Sequence, residues 1–148
     1  MTSLRTRATM RLLATFETLF AASAVYGGIA LIAGAPGFTM PVEWLAPLGL
    51  TSWVLPGIAL VLVVGGTLAG ASVLAWRADF RAPGAALAAC AVLTGWLAIQ
   101  FGLIGVRAPV QWVTAGLVVV LLGLALLARR RLAALPIRPK AGRPPRGT

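Results

Sequence analysis

Residues 54–76 read VLPGIALVLVVGGTLAGASVLAW. Nothing in this run ionises, and its only hydroxyls are Thr67 and Ser72. As a helix rising 1.5 Å per residue it extends about 35 Å, enough to cross a hydrocarbon core of ~30 Å. A helix that is apolar on every side belongs in lipid or deep in a large core. Working outward, similar runs lie at about 12–34, 84–106 and 112–128, the last being the shortest and opening on Gln111-Trp112. The one long connection, 35–53, holds Pro36, Pro41, Trp44 and Trp53 and reads as an interfacial loop with one short helix. The predicted architecture is an all-α bundle of four transmembrane helices. A basic N-terminus (1–11) precedes the transmembrane domain (12–128), and a basic tail (129–148) follows it.

Composition points the same way. Of 148 residues, 59% are hydrophobic and 11% charged, whereas soluble domains run about 45–50% apolar and about 25% charged. That leaves too little polar surface to cover a particle in water.

Charge sets the expected orientation. The chain has thirteen Lys and Arg against three acids, and cytoplasmic flanks collect basic residues. Arg5, Arg7 and Arg11 precede the first run. Arg77 and Arg81 separate the second and third, and Arg129, Arg130, Arg131, Arg138, Lys140, Arg143 and Arg146 follow the fourth. Only Arg107 falls on the opposite side. Both termini are therefore expected in the cytoplasm, with loop 35–53 outside and Trp44, Trp53 and Trp112 at the outer interface. Ala22-Ser23-Ala24 matches the small-residue pattern of a signal cleavage site, but Glu17 interrupts the apolar stretch and apolar sequence continues to Ala33, which favours a retained span. Arg in place of Lys, with much Ala and Gly, suggests a GC-rich bacterial genome. The expected location is the inner (plasma) membrane, crossed several times.

Reactive groups are scarce. There is no His; Cys90, Lys140 and the acids Glu17, Glu43 and Asp79 complete the set outside arginine. Without His there is no Ser-His or Cys-His pair and no imidazole-held zinc or haem; a single cysteine excludes a redox pair. No enzyme, cofactor or metal site is expected. Cys90 reads as a small packing residue.

Helices in lipid meet where small residues let backbones approach. Gly84, Ala88, Ala91, Gly95, Ala98, Gly102 and Gly105 form one continuous stripe on span three. Span two adds Gly66-x-x-x-Gly70, and span one adds Ala21, Ala24 and Gly28. Gly66, Gly70, Gly95 and Gly102 are accordingly the expected packing glycines.

Four polar residues stand out within the spans: Glu17, Tyr26, Thr67 and Gln100. Glu17 shares a helical face with Ala21, Ala24 and Gly28, so it should point into the bundle. An intramembrane carboxyl marks a functional site or a paired contact; the expected partners are Thr18, Thr67, Ser72 or Arg77. Gln100 lies on the Leu93, Trp96, Leu103 face, too far along the membrane normal to reach Glu17 but level with Tyr26. A Tyr26–Gln100 pair would act as interhelical glue worth ~1 kcal/mol. The tail from Arg129, basic and proline-rich, is expected to be disordered against anionic lipid. It has no aromatic residue for stacking bases, so nucleic acid is not an expected partner.

Glu17, Tyr26-Gly27-Gly28, Pro41-Val42-Glu43-Trp44-Leu45, Trp53 with Leu55-Pro56-Gly57, Gly65-Gly66, Gly95-Trp96, Gln100, Ile104-Gly105 and Gln111 together resemble a family of small four-span bacterial membrane proteins of actinobacterial type with no assigned activity. The resemblance covers about Leu12 to Ala128. It implies that Glu17, Gln100 and the Leu55-Pro56-Gly57 helix start are shared features. Small multidrug transporters are a looser likeness resting on Glu17 alone, and they are shorter with minimal loops. Two functions follow as expectations. One is a non-enzymatic structural or accessory protein that packs through small-residue faces, as a homo-oligomer or in a membrane complex. The other is a proton-coupled small-molecule transporter using Glu17.

Overall fold

The computed structural model describes residues 2–38, 40–106 and 109–134. The described residues are helical with no strand. Helix α1 runs Thr2–Ile32 and makes span one. After the loop, a 3-10 helix covers Val42–Leu48. Span two consists of α2, Val54–Ala59, a π-helical segment Leu60–Gly65, and α3, Gly66–Trp76. Span three is α4, Ala82–Ile104, and span four is α5, Pro109–Ala133. Four helices are thus long and apolar enough to cross a membrane.

Two ends differ from the sequence reading. Helix α1 begins well before residue 12, because Thr6, Thr9 and Met10 are buried and the basic segment continues the helix rather than preceding it. Helix α5 likewise runs through Arg129, Arg130 and Arg131 to Ala133. One contact joins these extensions: Arg131 Nη1 donates to the Arg5 carbonyl at 2.8 Å and also to the Thr9 hydroxyl. The start of span one is thereby tied to the end of span four. The tail expected to be disordered from Arg129 therefore begins as helix to Ala133; its remainder, residues 135–148, lies outside the described residues, as does Arg107.

Each span packs on its sequence neighbours, and span four closes back on span one. The core is made of small and branched side chains, among them Leu13, Ala14, Ala21, Leu68, Ala71, Ala86, Leu93, Leu121 and Ala125. In lipid this burial gains little from the hydrophobic effect, so close packing and polar contacts must hold the helices together.

The connections have identifiable chemistry. Between spans two and three, Ala78 adopts φ 53°, a left-handed conformation for a residue with a Cβ. The Asp79 carboxylate then accepts the Arg81 N–H at 2.8 Å, and Pro83 sits in the first turn of α4. Between spans three and four, Gly105 turns at φ 70°, and its carbonyl accepts the Gln111 side-chain amide at 3.0 Å. In the long loop, the Trp53 indole N–H donates to the Met40 carbonyl at 2.8 Å. Trp53, Leu45 and Leu31 form a second small core beneath the 3-10 helix.

Candidate functional site

Glu17 points into the bundle, as its helical face requires. Its side chain is 0% exposed. Neither carboxyl oxygen has a hydrogen-bond partner among the described residues. Leu13, Ala14 and Ala21, its neighbours at helical spacing, are buried in the same core. Cys90 on span three is buried in the same core and makes no hydrogen bond to the carboxyl.

Three of the expected partners of Glu17, namely Thr18, Ser72 and Thr67, are engaged elsewhere, and the fourth, Arg77, gives its carboxyl no hydrogen bond. Thr18 and Ser72 lie 2.8 Å apart, oxygen to oxygen, joining spans one and two. Thr18 Oγ1 also donates to the Ala14 carbonyl at 2.7 Å and accepts the Trp76 indole N–H at 3.0 Å. A hydroxyl has one proton and two acceptor positions. With that proton on Ala14, Ser72 and Trp76 both donate to Thr18, which saturates it. Thr67 turns back onto its own helix, donating to the Val63 and Val64 carbonyls. It faces away from the core, so it contributes nothing to Glu17.

The expected Tyr26–Gln100 pair does not form. Tyr26 is 67% exposed and meets Phe38 edge to face, with ring centroids 5.7 Å apart. Gln100 instead lines a cavity of about 220 Å³ at the loop end of the bundle. Equal depth on two helices was not enough, because Tyr26 sits on the outward side of span one.

The expected packing glycines face away from the other helices of the bundle. A Cβ added at Gly66, Gly70, Gly95 or Gly102 would meet nothing within 4 Å. The close approach belongs to Gly28 and Gly57, where added Cβ atoms would come within 2.7 Å of each other's carbonyl oxygens, and to Gly65 against Val25 at 3.1 Å. Gly84, Ala88, Ala91, Gly95, Ala98 and Gly102 are all exposed, so the stripe of span three lies on the outside of the bundle. Ala82, Ala86, Ala89, Cys90, Leu93 and Leu97 face in.

The π segment went unseen in the sequence, since a widened turn leaves apolar content unchanged. It falls just beyond the Gly28–Gly57 crossing, and Val61 within it lies against Gly28. Such insertions recur at functional positions in helices.

No group of three or more metal-ligating side chains occurs among the described residues. Comparison with family models, with curated proteins and with solved structures finds no match to this chain, so the resemblance drawn from its sequence stands on the quoted residues alone.

Proposed function

We propose that this chain is a non-enzymatic, multi-pass protein of the bacterial inner membrane, acting as a structural or accessory subunit that associates through its small-residue helix faces. The observation that carries this reading is the exposed stripe from Gly84 to Gly102 on span three. Small residues facing lipid forgo contact that another helix could supply at close range. Gly66 and Gly70 on span two offer a second open surface of the same kind.

The proposed orientation puts both termini in the cytoplasm and loop 35–53 outside. Arg5, Arg7 and Arg11, then Arg77 and Arg81, then Arg129 to Arg131 fall at one end of a four-span hairpin pair, and cytoplasmic ends collect such charge. Anionic headgroups are the lipid partners these residues would favour.

Extraction in mild detergent tests the reading: the protein should emerge as an oligomer or with a membrane partner, and Glu17→Gln should leave that association intact. A lone monomer would end it. The competing transporter reading draws on the unpartnered Glu17 carboxyl. Its complete shielding weighs against, because a substrate reaches Glu17 only if the spans separate. Transport requires pH-dependent substrate binding that disappears in Glu17→Gln.

A further inference from the structure

The cavity lined by Gln100 arises from how span two is steered. At the Gly28–Gly57 crossing, helix α2 is drawn onto span one, against which it chiefly packs. The π turn follows, and contact with span three develops through this segment and α3. Spans two and three therefore diverge toward the loop end. The 3-10 helix roofs the opening with Leu45 and Leu48, while Leu60 from the π turn and Trp96 and Leu103 from span three form the walls.

Its lining is almost entirely apolar, and Gln100 is the one polar side chain with an amide to offer. That amide makes no hydrogen bond to another described residue. Buried Leu31 and Trp53 lie at the back. Leu48, Leu55 and Ile99, exposed on the loop helix, span two and span three, frame the mouth. The mouth thus opens between spans two and three, on an apolar flank of the bundle.

We infer that this cavity binds one acyl chain of a membrane lipid, with the Gln100 amide donating to the lipid's ester carbonyl. Size and chemistry select this occupant. An apolar cavity of ~150 Å³ stays dry and admits benzene, so about 220 Å³ admits a run of methylenes but not another helix. An unpaired amide in hydrocarbon is costly, and a carbonyl at the top of the chain meets that need. Gln100 lies one turn, about 6 Å, inside the end of α4 at Ile104, a depth from which its long side chain reaches the ester level.

The test is photolabelling in nanodiscs with phosphatidylglycerol carrying a diazirine midway along one acyl chain, followed by peptide mapping. Adducts are expected several-fold enriched on segments 53–60 and 96–103 over segment 113–120 of span four, although Val113 and Val119 there are more exposed. Ala59→Trp and Leu103→Trp, filling the cavity from opposite walls, should each abolish the enrichment in protein that keeps its wild-type melting temperature. Gln100→Leu should reduce it. Labelling that simply follows exposure, or enrichment that survives whichever filling variant folds, would overturn the inference.

Discussion

Gly28 and Gly57 meet backbone to backbone: a Cβ on either would stand 2.7 Å from the other's carbonyl oxygen. Real Cβ atoms do not approach that closely, and although the Val61 and Ile32 side chains beside them could shift, these carbonyls are main chain and cannot rotate aside. Gly28→Ala and Gly57→Ala should each destabilise the bundle by roughly 2 kcal/mol or more, at the upper end for single substitutions. Gly66→Ala and Gly70→Ala face open space and should be neutral or stabilising by about 0.4–1 kcal/mol. Thermal unfolding in one detergent, read by near-ultraviolet circular dichroism, separates the two groups.

Thr18 offers a second comparison. Thr18→Val removes the acceptor of both Ser72 and Trp76, whereas Ser72→Ala removes one donor only. Interhelical hydrogen bonds in membranes are worth about 0.6 kcal/mol on average, so Thr18→Val should cost more than Ser72→Ala. In the double variant the losses should not add. A double-mutant cycle on unfolding free energies reads the coupling; strict additivity would show that the pair contributes nothing.

At Glu17 the expectation is a gain. A buried polar group without a partner costs about 1–3 kcal/mol, and an apolar side chain of similar shape avoids that cost. Glu17→Met should therefore raise the melting temperature. A marked fall in stability would mean that the carboxyl has a partner the bundle depends on.

Ala78 holds a left-handed backbone at φ 53°. That conformation costs a residue with a Cβ roughly 1–2 kcal/mol, and glycine escapes most of it. Ala78→Gly should stabilise the turn between spans two and three by about 1 kcal/mol after its greater loss of chain entropy. The melting temperature of this variant beside wild type provides the check.

Much of the architecture was legible because hydropathy records where a chain can lie in lipid. Residues 54–76 identified a span whose ends match Val54 and Trp76. The inward direction of Glu17 followed from Ala21, Ala24 and Gly28 on its face. The ends of spans one and four were less legible, since Arg5 to Arg11 and Arg129 to Arg131 continue helices that apolar content alone would stop. Span three shows why residue size alone does not assign the inward face. Both its faces are small, one with Gly84, Gly95 and Gly102 and the other with Ala82, Ala86 and Ala89, so residue size could not tell which turns inward. The buried face also carries Cys90, Leu93 and Leu97, a cue that larger apolar neighbours accompany the inner alanines. Tyr26-Gly27-Gly28 and Leu55-Pro56-Gly57 were visible separately, but their pairing depends on two helices crossing at one point.

The central claim is that the outward stripe of span three is an association surface. Native mass spectrometry of the protein extracted in mild detergent tests it most directly, with Gly95→Leu and Gly102→Leu beside wild type. Wild type should carry a mass above that of one chain, and each variant should revert to a single chain while keeping the wild-type helical content by far-ultraviolet circular dichroism. A wild-type protein that flies as one chain, or an assembly that both substitutions leave unchanged, would contradict the claim.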